Sequence, residues 1–108
     1  MRPSGSDTID ITVHGGTTKV VVTGDFDMQA TFTIEPALED ALNRRDVRVL
    51  EVDLTPLRFV DSTGIGVLLR VDGEARDRGV EFRILPPAPE VHRIFELSGV
   101  AEALPFAR

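Results

Sequence analysis

The chain has 108 residues, 42% of them hydrophobic and 28% charged, with a formal net charge of −6 and no cysteine. That length suits one domain with a modest core, and the lack of cysteine excludes disulfides and thiolate metal sites and fits a reducing cytoplasm. An acidic chain without a basic run argues against direct nucleic-acid contact, which needs Lys and Arg concentrated on one face. No apolar run approaches the roughly 20 residues that a membrane-spanning helix requires.

The first residues, Met1 to Asp7, lack the apolar centre of a signal peptide and read as a disordered tail, leaving 8–108 as the domain. Ile9, Ile11 and Val13 alternate with polar neighbours, the period of a strand with one buried face. Gly15-Gly16 supplies a turn, and Lys19 to Val22 continues as a second strand of a hairpin. Ile34, Ala37, Leu38, Ala41 and Leu42 then follow helical spacing. Proline is best tolerated in a first helical turn, so Pro36 places the N-cap at Thr33 and leaves Met28 to Phe32 as a loop.

Val47, Val49, Leu50, Val52 and Leu54 are dense enough for a central strand covered on both faces. Thr55-Pro56 ends it, a short turn follows, and Ser62 is placed as the N-cap of a second helix. Ile65, Leu68, Leu69, Val71 and Ala75 form that helix's buried side, while Ser62, Gly66, Gly73 and Asp77 fall on the wetter side; Asp72 sits in the apolar stripe without explanation. Gly79 closes the helix, Val80 to Leu85 form another strand, and Pro86-Pro87 stops it. Pro89 opens a third helix with Val91, Ile94 and Phe95 inward and Gly99 at its end, and Ala101 to Phe106 are expected to add a short helical turn. Alternating strands and helices after a hairpin predict an α/β fold with a mixed sheet and right-handed parallel crossovers around Ser62. The Arg44, Arg45 and Arg48 cluster, interleaved with Asp40, Asp46 and Glu51, reads as a solvated helix end.

Three segments carry a resemblance. Asp61-Ser62-Thr63-Gly64-Ile65-Gly66, Gly24-Asp25-Phe26-Asp27 and Arg93-Ile94-Phe95-Glu96-Leu97-Ser98-Gly99-Val100 come in the order and spacing of STAS domains, and together resemble the bacterial anti-sigma factor antagonists. The resemblance implies a single STAS-type domain with a mixed four- to five-stranded sheet and three to four helices. It further implies a protein that, unphosphorylated, binds an anti-sigma factor with serine kinase activity and so frees a sigma factor. Phosphorylation of Ser62 releases it, and a serine phosphatase restores it. Asp25, Asp27 and Asp61 are then the acidic residues around the phosphoacceptor, and Asp27 is expected to come close to Asp61. Thr63 is a second hydroxyl and the alternative acceptor.

By local physics alone Ser62 is a helix cap with backbone N–H groups behind it that could receive a phosphate. Gly64 and Gly66 either leave a bare patch for a partner or allow tight packing at the start of the helix. Met28 and Phe32 are candidate apolar contacts for that partner, with core burial the equal alternative for Phe32. Catalysis by the chain itself is not expected. Ser62 lies outside a Gly-x-Ser-x-Gly elbow, and His14 and His92 read as surface residues. No phosphate loop or metal-ligand spacing occurs and no cofactor is expected. The alternative within the same resemblance is a STAS scaffold, or a subunit of a stress-signalling or lipid-transport complex, without a phosphorylation switch.

Overall fold

The computed structural model describes residues 8–107, so the expectation of a disordered tail at Met1 to Asp7 lies outside the described residues. Strands β1 (Thr8–His14) and β2 (Thr17–Phe26) form the expected hairpin, closed at Gly15, whose φ of 63° suits a residue without a Cβ. Helix α1 (Met28–Leu42), β3 (Val49–Asp53), β4 (Leu57–Val60), α2 (Ser62–Asp77), β5 (Glu81–Leu85) and α3 (Pro89–Leu97) follow. The five strands form one mixed sheet in the order β1-β2-β3-β5, with β4 pairing to β2 beyond the end of β3. The β1–β2 pair is antiparallel and the others are parallel.

One face of the sheet is the core. Val20 and Val22 of β2, Leu50 and Val52 of β3, and Phe82 and Ile84 of β5 lie on it, all buried. Helix α1 packs on β2 and on α2, α2 packs on β5, and α3 packs on β4. Among the described residues the other face carries ion pairs in place of an apolar core. There Lys19 pairs with Glu51 at 4.0 Å and Asp53 at 3.7 Å, and Arg83 pairs with Glu81 at 2.7 Å. The expectation that Val47 to Leu54 is covered on both sides is therefore corrected: β3 alternates half-buried and buried residues, and its Glu51 and Asp53 hold the wet face. Its apolar density came from Val47, which precedes the strand, and from Leu54, which follows it.

Helix α1 starts six residues earlier than expected, at Met28 instead of Ile34. Asp27 is its N-cap, in extended backbone, accepting from the Ala30 N–H at 2.9 Å. Pro36 thus stands inside the helix, where its missing N–H forgoes one intrahelical bond. The helix survives because its buried stripe runs through the proline: Leu38, Ala41 and Leu42 are buried after it and Ile34 before it, and partly buried Ala30 continues the stripe one turn before Ile34.

Leu57 to Val60, expected as a turn, is strand β4. It pairs with the second half of β2 in the register Gly24↔Leu57, Asp25↔Phe59 and Phe26↔Val60, with an irregularity between Gly24 and Asp25. Gly24, at φ 97°, is where β2 leaves β3 and turns to β4. In α2, Leu69 is exposed rather than buried, and Gly64 and Val67 take the inward positions. Asp72 is explained by a close ion pair with Arg76, one turn on. Ala101 to Phe106 form turns, and then Phe106 bridges to Ile84 at the outer edge of β5. His92, expected at the surface, is half-buried, its ring centroid 4.7 Å from that of Phe106.

Candidate functional site at the paired helix starts

The parallel register of β2 and β4 builds the site. Phe26 and Val60 stand side by side as the last residues of their strands, so the next residues, Asp27 and Asp61, leave the sheet together. Each begins a helix. Asp27 caps α1, and the Asp61 carboxylate accepts from the N–H groups of Thr63 at 2.9 Å and Gly64 at 3.2 Å. The Asp61 N–H donates to the Phe26 carbonyl at 3.2 Å, which ties the two exits to each other. Both carboxylates sit where the helix dipole and unpaired N–H groups favour negative charge. The expected proximity of Asp27 and Asp61 is therefore met: both line one shallow groove of about 430 Å³, with Met28, Gln29 and Phe32.

Ser62 is fully part of α2 and is not its cap, which corrects the sequence expectation. Asp61 takes that role because the residue in extended backbone is the one before the helix, and Asp61 has φ −116° and ψ −174°. The consequence reaches the chemistry. The amides of Thr63 and Gly64, which a phosphate on Ser62 would have used, are already committed to the Asp61 carboxylate. Ser62 itself is exposed and Thr63 is half-buried.

The two glycines of the motif differ. A Cβ on Gly64 would lie 2.5 Å from the Phe26 carbonyl oxygen and 2.9 Å from its ring, so this position exists for the close approach of α2 to the end of β2. A Cβ on Gly66 would meet nothing closer than the Arg70 Nη1 at 3.6 Å. Gly66 is the bare spot on the outer side of the helix. Nearby Arg70 reaches Glu35 of α1 with its Nε at 3.1 Å and Nη2 at 2.8 Å, clasping the two helices at the surface.

Met28 is 64% exposed and Phe32 is 79% exposed, so neither belongs to the core. They stand beside the two aspartates as an apolar element at the helix starts, and of the two options the sequence left open for Phe32 the surface one holds. Asp25 lies one step back, half-buried in β2 with Phe59 as its β4 neighbour, and does not line the groove. Sequence reasoning missed that Asp27 caps a helix. The signal was present as Ala30, Ile34 and Leu38, spaced four residues apart on one helix face. Among the described residues no cluster of three or more His, Asp or Glu side chains is arranged to hold a metal ion, and no helix is long and apolar enough to cross a membrane.

A family model described as "Mlab, STAS domain" matches residues 9–105. The chain belongs to the STAS domain family. A curated relative, the anti-sigma F factor antagonist of Paenibacillus polymyxa, is 28% identical over 97 residues, covering 90% of this chain and 83% of that protein. Among solved structures, an anti-sigma factor antagonist from Mycobacterium paratuberculosis superposes with a TM-score of 0.82 at 23% identity, covering 98% of this chain and 89% of the other. The Bacillus cell fate determinant SpoIIAA in its phosphorylated form superposes with a TM-score of 0.69 at 22% identity, covering 95% and 92%. Both structural likenesses establish that the five-stranded sheet and its helices are the STAS fold.

Proposed function

We propose that this STAS domain is an anti-sigma factor antagonist of the cytoplasm, controlled by phosphorylation of Ser62. The observation that carries the reading is an exposed Ser62 beside a groove of two aspartates and two exposed apolar side chains, Met28 and Phe32. Unphosphorylated, the domain docks through this surface on an anti-sigma factor that is also a serine kinase, and so liberates a sigma factor. Gly66 permits close approach, and Met28 and Phe32 supply apolar area that is lost from water on docking. The names of the curated and structural relatives, anti-sigma factor antagonists including one solved in a phosphorylated form, favour this reading.

The switch follows from electrostatics. A phosphate adds about −1.5 to −2 charges near neutral pH. Because Asp61 already occupies the first amides of α2, that charge has no ready cradle and stands beside the existing carboxylates. It stays exposed to solvent in the free domain, so the fold persists. In the complex the same charge is held against a protein surface and against Asp27 and Asp61, at a cost of about 3 kcal/mol, or two orders of magnitude in Kd. A phosphatase then restores the docking-competent serine. In this role the domain is a substrate of catalysis and performs none.

The test is mass spectrometry after incubation with ATP and the cognate kinase, together with binding of a Ser62→Asp variant. Expected are modification at Ser62, and a variant that keeps the parent's melting temperature while losing affinity for the kinase. Modification at Thr63 instead, or unchanged affinity of the aspartate variant, refutes the assignment. A chain that is neither phosphorylated nor sensitive to substitution at Ser62 belongs with the STAS scaffolds and transport subunits.

A further inference from the structure

The two edges of the sheet are treated differently. At the β5 edge the C-terminal segment closes the ladder: the Ile84 N–H donates to the Pro105 carbonyl at 3.0 Å, and the Ala107 N–H donates to the Ile84 carbonyl at 2.8 Å. At the other edge β1 pairs on one side with β2, and among the described residues nothing pairs with its outer side. Exposed strand edges are ordinarily blunted by proline, lysine, bulges or short length. β1 has no proline, lysine or bulge and is not short; its one charged side chain is Asp10. It runs seven residues, Thr-Ile-Asp-Ile-Thr-Val-His, in unbroken register with β2.

Its side chains also leave an apolar row unfinished. Ile9, Ile11 and Val13 stand opposite Val22, Val20 and Thr18. Directly opposed residues of an antiparallel pair share a face, so these three extend the buried row of β2 outward. Yet Ile11 is 46% exposed and Val13 is 48% exposed. Their polar neighbours Asp10 and Thr12 hold the wet face.

We propose that β1 pairs with β1 of a second copy of this chain, antiparallel about a two-fold axis at Ile11. Ile11 then opposes Ile11 of the second copy, Ile9 opposes Val13, and Asp10 opposes Thr12. All seven backbone positions pair, and the two apolar rows become one row of six. The alternatives are worse on the residues present. A one-residue slip turns the apolar row to the wet face. A two-residue slip one way places Asp10 opposite Asp10, a like-charge pair. A two-residue slip the other way shortens the pairing to five residues and leaves Ile9 uncovered. β2 stands between β1 and β4, so this association goes beyond the proposed switch and leaves the Ser62 surface of each copy free.

One strand pair is a small interface, below about 1,200 Å² in all, so the dimer is weak and concentration-dependent. Each copy carries a net charge of −6, so the repulsion between copies is screened, and the dimer strengthened, by added salt.

The chain has no cysteine, which makes register readable by single-cysteine variants. Opposed Cα atoms of an antiparallel pair are about 4.5 or 5.5 Å apart, within the reach of a disulfide. Ile11→Cys is expected to form disulfide-linked dimers several-fold faster than Asp10→Cys, Thr12→Cys or Val13→Cys, while an Ile11→Lys variant that retains the parent's circular dichroism sediments as a single chain. The parent's sedimentation mass is expected to rise with concentration, and more steeply in salt. A parent that remains a single chain up to about 1 mM, or fastest crosslinking at a position other than Ile11, overturns the proposal. So does amide protection of β1 that appears only on adding the kinase partner, since the edge then belongs to that partner. Each of these readouts is independent of whether Ser62 is phosphorylated.

Discussion

Three glycines in one helix separate packing from function by a single kind of change, glycine to alanine. At Gly64 the added methyl would sit 2.5 Å from the Phe26 carbonyl oxygen, a backbone atom that cannot rotate away. That same carbonyl accepts the Asp61 N–H at 3.2 Å, so moving it loosens the junction that sets both helix starts. Overpacking of this kind costs about 1–3 kcal/mol, and alanine's better helix propensity returns up to about 1 kcal/mol. The net expectation is a loss of about 1–2 kcal/mol, which for a domain of this size lowers the melting temperature by about 5–10 °C. At Gly73 the new methyl meets nothing within 4 Å, so only propensity acts and stability rises by up to about 1 kcal/mol. At Gly66 the nearest atom is 3.6 Å away, so the fold is unharmed, but the bare spot beside Ser62 is filled. Thermal and urea denaturation of the three variants should rank Gly73→Ala at or above the parent, Gly66→Ala close to it, and Gly64→Ala well below. Binding to the proposed kinase partner should be lost selectively in Gly66→Ala relative to Gly73→Ala. A Gly64→Ala protein as stable as the parent refutes the claim that contact between α2 and Phe26 fixes the site.

The remaining expectations concern caps and carboxylates. Asp61→Ala removes the acceptor of two N–H groups and should cost about 1 kcal/mol, whereas Asp61→Asn keeps an acceptor and should melt within about 2–3 °C of the parent; equal losses in both would show that charge, and not the cap, matters there. Glu39 of α1 is held above the ordinary carboxyl value of 4.5, first by burial and then by facing Glu74 of α2. A raised folded pKa means that its contribution to stability is lost as pH climbs from about 4.5 through that raised value. Glu39→Gln should therefore raise the melting temperature at pH 7, and the gain should shrink toward zero at pH 4 and below; a gain that does not depend on pH refutes the assignment. Phe32→Ala, at a side chain 79% exposed, should leave stability unchanged within about 0.5 kcal/mol while weakening the kinase complex, measured by calorimetry; a large loss of stability would place Phe32 in the core.

The amino-acid sequence by itself determined the periodic elements. The hairpin at Gly15, the helix from Ser62 to the positive-φ Gly79, and the helix from Pro89 to the positive-φ Gly99 were all legible, because their signals are local: alternation, helical spacing, and residues suited to special backbone angles. The three motif segments likewise carried the family. What the tertiary structure decided were the places where local rules compete. Pro36 forbids a first turn at Met28 by propensity, but burial of one continuous stripe from Ala30 to Ala41 outweighs a single missing hydrogen bond. Leu57 to Val60 is too short to announce itself as a strand and becomes one only because β2 bends at Gly24 to meet it. That pairing, between segments more than thirty residues apart, places Asp27 beside Asp61 and hands the cap from Ser62 to Asp61. The chemistry of the site thus depends on a strand register, and register is a property of two distant segments that neither one encodes alone.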